Sequence, residues 1–249
     1  MIALLDLGNT TIAIGVSFEG KEIDRIYRLN TEKTKSADEY AITLNQFLKN
    51  VQHVVISSVV PELNSVFKEY FEKEFEIKPV FLGYGVKTGL KITTDNPKEV
   101  GADIIANAVA ATSLYDRTCL VIDLGTATTM TYVEEGNLRG VVIAPGLTTS
   151  KNALISKTSQ LPQVELEAPK KLIGTNSVDS IKSGLVYGHA SMLEGMISRI
   201  RLEVGKPDLR IVLTGGHAKM IAPLVGGAIT MDERLILKGL LQVYRKNIS

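Results

Sequence analysis

An α/β protein of two duplicated lobes is what the sequence predicts, and three observations carry the prediction. The stretch Leu5-Asp6-Leu7-Gly8-Asn9-Thr10-Thr11 returns 117 residues later as Ile122-Asp123-Leu124-Gly125-Thr126-Ala127-Thr128-Thr129. Aligned without a gap, Asp, Leu and Gly match, then Thr11 with Thr128 and Val16 with Val133. Each copy follows a short apolar run and leads into a second strand-like run and a Gly turn. The unit is therefore strand, acidic-glycine turn, strand, and it occurs twice. Around these copies strand patterns alternate with helix patterns, the mark of α/β architecture. The chain has 249 residues, enough for two domains of ordinary size.

Bulk properties narrow the class. Hydrophobic residues make up 45% and charged residues 22%, ordinary for a globular protein. A net charge of +1 offers no case for nucleic acid or an acidic partner. The single Cys119 lies in an apolar run, which suits a buried thiol in a reducing compartment and excludes a disulfide within the chain. No apolar run approaches the ~20 residues of a membrane span. The N-terminus opens directly on a strand, so no signal peptide is expected. The expected location is the cytoplasm.

The elements follow in order. Residues 2–6, 11–18 and 23–29 read as a strand meander. Ser36-Ala37-Asp38-Glu39 opens a helix through Phe47. Residues 51–60 form a buried strand, Pro61 starts a helix at its first position, and residues 78–82 form another strand. Residues 83–96 read as a loop; Gly83-Tyr84-Gly85 with Gly89 lacks the spacing of a dinucleotide fingerprint. Asn96-Pro97-Lys98-Glu99 reads as a capped helix start, with the helix running to about Tyr115. Glu99, Asp103 and Asn107 form a polar stripe on it. A strand at 140–145 precedes a helix after Gly146, and 162–171 is an extended loop. A long helix runs from Ser177 to about Val204. It contains Gly184, Gly188 and Gly195, whose interior cost of roughly 1 kcal/mol each calls for close approach of another helix or a ligand. The strand 209–213 ends in Thr214-Gly215-Gly216-His217. Further helices begin at Ala218 and span 233–245.

The chemistry sits in the turns. Glycine lets the backbone approach a ligand closely, and hydroxyls with exposed N–H groups bind anionic oxygens. A carboxylate at the strand end suits a hard cation. Either turn alone reads as an ordinary hairpin; the matched pair reads as a clamp on a polyphosphate and its metal. By pattern alone the stripe carrying Asp103 reads as a solvated helix face. His53, His189 and His217 lack metal-ligand spacing.

These motifs resemble the superfamily of acetate and sugar kinases, heat-shock chaperone ATPases and actin. The resemblance implies actin-like (ribonuclease H-like) lobes, here residues 1–117 and 118–249, around a nucleotide cleft. Within it, D-x-G-N-T at Asp6, G-A-D at Gly101, D-x-G-T-A-T-T at Asp123 and T-G-G at Thr214 resemble, in order and spacing, type III pantothenate kinase. The match runs from Ile2 to about Leu240. It implies ATP-dependent phosphorylation of pantothenate, the first step toward coenzyme A, by a homodimer using magnesium and potassium or ammonium.

Residue by residue, the resemblance assigns ATP to Asp6, Leu7, Gly8, Asn9, Thr10, Thr11, Ile12 and Ala13, with Thr126 adding a contact and Gly215 and Gly216 at the adenosine. Asp6 would face the nucleotide's magnesium, and Asp123 the potassium site. Thr94, Gly101, Ala102, Asp103, Ile104 and Ser177 would line the pantothenate, with Asp103 as the base. The sequence departs from the family pattern at Ile104, where the family has Arg, at Thr94, usually an aromatic residue, and at Ser177, usually Thr. Two other readings stay open: a non-catalytic nucleotide-binding accessory or regulatory protein of the same fold, and a kinase for another small alcohol.

Overall fold

A computed structural model describes residues 1–83, 85–157 and 161–247. Tyr84 of the Gly83-Tyr84-Gly85 segment lies outside the described residues. The chain groups into two units: residues 1–117, 135–139 and 234–249 in the first, and 118–134 with 140–233 in the second.

The first unit is built on a sheet of order β3-β2-β1-β4-β5, with β1 Ile2–Leu7, β2 Thr11–Ser17, β3 Arg25–Asn30, β4 His53–Ser58 and β5 Val80–Phe81. Both faces of β1 are covered, so it reads as an apolar run rather than an alternation. Ala3, Leu5 and Leu7 pack under α1 (Ala37–Leu44) and α2 (Pro61–Phe75), against Tyr40, Leu44, Leu63, Phe67 and Phe71. Ile2 and Leu4 face the other way, into a cluster with Ile105 and Val109 of α3 (Ala102–Leu114) and Leu237, Leu240 and Leu241 of α7 (Leu235–Asn247). Local chemistry sets the helix ends. Ser36 caps α1 in a capping box: its N–H donates to Glu39 Oε2 at 2.9 Å and its Oγ accepts from the Glu39 N–H at 3.4 Å. Pro61 opens α2, which ends at a left-handed Glu76. α3 and α7 cross where Gly239 has no side chain; a Cβ there would overlap the Ala106 carbonyl oxygen.

The second unit carries a sheet of order β11-β10-β7-β8-β9, with β7 Cys119–Leu124, β8 Ala127–Glu134, β9 Asn137–Pro145, β10 Arg210–Thr214 and β11 Ile229–Met231. The first residues of β9, Asn137 and Leu138, group with the first unit, where they pair with β6 (Lys91–Ile92). Leu120, Ile122 and Leu124 pack against Val186, Ala190 and Leu193 of α5 (Ser177–Val204) and Ile221 of α6 (Ala218–Ile221). α4 (Leu147–Ser156) follows the Gly146 cap.

The two units repeat one pattern. β1 pairs antiparallel with β2 and parallel with β4; β7 pairs antiparallel with β8 and parallel with β10. Side chains alternate along a strand. Asp6 therefore projects from the face opposite α1 and α2, and Asp123 from the face opposite α5 and α6.

Pairing register corrects the gapless repeat. Leu7 pairs with Ile12, whereas Leu124 pairs with Thr128. The first turn is thus one residue longer, and the structural counterpart of Thr128 is Ile12, not Thr11. The same slip sets Val133 against Ser17 rather than Val16. The helix expected from Asn96 is also corrected. Residues Pro97–Glu99 make a short 3-10 turn, Gly101 is extended at φ −60°, ψ 147°, and α3 begins at Ala102. Asn96 does not cap that turn; its amide donates to Glu99 Oε1 at 2.5 Å. Glu99 is therefore not on the helix of Asp103. Asn107 is buried and Asp103 half-buried, so the polar stripe is no solvated face. β6 and β11 had no expected counterpart: each is three residues or fewer, too short for a periodic pattern.

Candidate active site

In the first unit the Gly8 turn closes by its own backbone, Gly8 N–H donating to Thr11 O at 3.1 Å. Thr31 braces it from the end of β3, its Oγ1 donating to Gly8 O at 2.6 Å and its N–H to Thr10 O at 3.0 Å. Asn9 and Thr10 are exposed at the tip, and Lys33 Nζ donates to Asn9 Oδ1 at 3.3 Å. Leu7 and Ile12 point into the core, which leaves only their main chain toward a ligand. Asp6 lies in register with Ser57 of the parallel strand β4. Paired residues share a face, and Ser57 Oγ is fully buried with no hydrogen-bond partner.

The second turn is more heavily built. Gly125 N–H donates to Ala127 O at 3.1 Å. Gly146, at the start of α4, donates its N–H to Thr126 O at 3.1 Å, and Thr149 Oγ1 donates to the same oxygen at 2.6 Å. The T-G-G turn reaches the same place. Thr214 pairs with Asp123 across β10 and β7. Gly215 has φ +98°, a conformation suited to glycine, and a Cβ there would stand 2.5 Å from Asp123 Oδ1. Gly216 is exposed, with nothing within 4 Å of where its Cβ would be. Asp123, Thr126, Gly215 and Gly216 thus come together although nearly ninety residues of chain separate the two motifs.

Gly101, Ala102, Asp103 and Ile104 sit together at the start of α3, in the first unit. Burial pushes the Asp103 carboxyl above its usual range, opposed in part by the Ile104 N–H that donates to Oδ1 at 2.8 Å. The missing side chain of Gly101 leaves that carboxyl its space, since a Cβ would stand 2.5 Å from Asp103 Oδ1. Ile104 is 8% exposed. Thr94 Oγ1 is buried and without a hydrogen-bond partner. Ser177 is exposed as the first residue of α5, in the second unit, beside the Asn176 cap.

Sequence reasoning missed Thr31, Ser57, Gly146, Thr149 and His217. Each reaches its turn across the chain, and no local pattern announces that. Among the described residues no group of three or more His, Cys, Asp or Glu side chains could hold a metal ion. Among the described residues no helix is long and apolar enough to cross a membrane.

Known proteins bear on this site. Residues 2–199 match the family model of type III pantothenate kinase. The type III pantothenate kinase of Acholeplasma laidlawii is 44% identical over an alignment of 251 positions that covers all of both chains. That of Syntrophus aciditrophicus is 39% identical, covering 99% of this chain and 100% of the relative. The crystal structure of component A of (R)-2-hydroxyglutaryl-CoA dehydratase from Acidaminococcus fermentans superposes with a TM-score of 0.58 at 16% identity, covering 99% of both chains. At that identity the likeness shows the fold alone, an α/β fold of duplicated actin-like lobes. Matched along its length at this identity, and carrying both acidic-glycine turns and the T-G-G turn, the chain belongs to the type III pantothenate kinase family.

Proposed function

We propose that this chain transfers the terminal phosphoryl group of ATP to the hydroxyl of pantothenate, giving 4'-phosphopantothenate on the way to coenzyme A. Family membership at 44% identity carries the reading, and the desolvated Asp103 carboxyl at the start of α3 supports it. Phosphoryl transfer needs mainly positioning and charge neutralisation. Asp103 accepts the proton of the attacking hydroxyl, and its raised pKa moves it toward the range in which a base works best. Gly101, Ala102, Ile104, Thr94 and Ser177 line the pantothenate. The backbone of residues 6–13, with Thr126, Gly215 and Gly216, holds ATP.

A divalent cation on the nucleotide, when bound, neutralises phosphate charge, with Asp6 as its protein carboxylate. Asp123 takes a monovalent cation, potassium or ammonium. In chain order the two lobes are residues 1–117 and 118–249, with the closing helix α7 returning to pack in the first unit, and the protein works as a cytoplasmic homodimer.

Turnover with ATP, magnesium, potassium and pantothenate tests the reading directly. Asp103→Asn should keep ATP binding and lower turnover at least ~100-fold, the low end of general-base contributions. Near-normal turnover in that variant removes Asp103 as the base. ATP binding without pantothenate turnover in the parent chain favours an accessory protein.

A further inference from the structure

We infer that His217 is a positioning residue of the nucleotide site, tying the start of α4 to the T-G-G turn and so setting the affinity for ATP. The inference rests on the reading of that turn as nucleotide-binding. His217 immediately follows Gly215 and Gly216 and stands at the first position before α6. Its backbone N–H donates to Leu124 O at 3.3 Å, on the strand end that carries Asp123. Its ring Nε2 lies 3.3 Å from Thr148 Oγ1, in the first turn of α4. The residues flanking Thr148 hold the second acidic-glycine turn: Gly146 N–H and Thr149 Oγ1 both donate to Thr126 O. His217 therefore joins, through its backbone and its ring, the T-G-G turn, the end of β7 and the first turn of α4.

The ring's own bonding favours a single arrangement. Nδ1 is buried with no hydrogen-bond partner. A proton there would leave a buried donor unpaired, which costs more than an unpaired acceptor nitrogen. The neutral tautomer protonated at Nε2 avoids this and donates to Thr148 Oγ1. A second histidine sits near: His189 Nε2 is 3.0 Å from Thr128 Oγ1 at the start of β8. Burial, and then the charge His217 could carry, hold the His189 pKa below its ordinary value. Two imidazoles, each joined to a threonine, thus flank the turn. His217 touches no reacting atom in this account; it acts through α4 and the T-G-G turn.

The test uses the full chain and ADP as the probe, with calorimetric affinity beside steady-state kinetics. Gln places its amide nitrogen near the position of Nε2, whereas the shorter Asn cannot reach Thr148. His217→Asn and Thr148→Val should each weaken ADP and raise the KM for ATP roughly three- to tenfold, the worth of one neutral hydrogen bond. The KM for pantothenate should stay put, and His217→Gln should restore nucleotide affinity to within about twofold. The double variant should be no worse than either single one, because both remove one link. Thr148→Val carries the test alone if His217→Asn does not fold. Unchanged ADP affinity in the Asn and Val variants, an equal rise in the pantothenate KM, or a Gln variant that binds ADP no better than the Asn variant would each overturn the inference. A parent chain that binds ADP without phosphorylating pantothenate sinks the substrate reading while the ADP arm still decides the role of His217. A parent chain that binds no nucleotide overturns both.

Discussion

Asp103 combines two demands that pull against each other. Its carboxyl is held above the ordinary 3.8 by burial, so the folded protein keeps this proton to a higher pH than the unfolded chain does. The contribution to stability is therefore fully present below the unfolded value and is lost as pH rises through the folded one. Once ionised, the desolvated group destabilises the fold. Asp103→Asn keeps an oxygen for the Ile104 N–H and removes the charge. It should raise the melting temperature at pH 7 while turnover collapses, and the gain should shrink as pH falls through the raised folded value and be gone below the ordinary 3.8. A melting temperature at pH 7 equal to or below that of the parent chain contradicts this. Ile104, its neighbour, is a buried apolar residue at the position for which the sequence motif implies an Arg. Ile104→Arg should lower the KM for pantothenate roughly ten- to a hundredfold through a charged hydrogen bond to its carboxylate. The KM for ATP should hardly move. Because the position is buried, the melting temperature should fall as well. Loss of activity in this variant points to a pocket shaped around an apolar group and to a different alcohol.

At the scale of elements, close backbone approach decides more than helix propensity does. α3 carries eight buried apolar residues in thirteen, and α7 crosses it at Gly239. Gly239→Ala would improve α7 as an isolated helix by up to ~1 kcal/mol. In the folded protein the new methyl meets the Ala106 carbonyl, and overpacking of this kind costs about 1–3 kcal/mol. The net sign should therefore be destabilising, read as a lower denaturant midpoint. A midpoint equal to or above that of the parent chain would show that the helices can separate without loss. The start of α3 follows the same logic. Asn96-Pro97-Lys98-Glu99 has the signature of a helix start, yet the helix begins five residues beyond Pro97, at Ala102. The extended Gly101 between them leaves room for the Asp103 carboxyl that a helical run from Pro97 would not guarantee.

For the whole molecule, the open question is what covers α5. Gly184, Gly188 and Ser191 are exposed on this helix of 28 residues, and a Cβ at 184 or 188 would meet nothing within 4 Å. Ala190 belongs instead to the core of the second unit, so the stripe excludes it. Among the described residues nothing uses the close approach these glycines permit, and we propose that a second copy uses it. Light scattering should report twice the mass of one chain, and Gly188→Arg should return it to the mass of one chain with the secondary structure retained. A parent chain that scatters as a monomer at working concentration ends this proposal.

The sequence by itself determined the strand–turn–strand repeat, the α/β class, the long helix Ser177–Val204 with its approximate bounds, and the cap at Ser36. All of these are written in short-range chemistry: an acidic residue and glycine at a strand end, a period of apolar residues, a capping pair three residues apart. Tertiary structure decided what depends on which backbones meet. It set the one-residue slip that makes Ile12 the counterpart of Thr128, because pairing register, not identity, aligns two hairpins. It grouped α7 with the first unit, more than a hundred residues from α3 in the chain. It also brought Gly146, Gly215 and His217 onto the second turn. A glycine or histidine looks the same in sequence whether it faces solvent or a carbonyl from a distant strand; only the fold supplies the neighbour that gives it a role.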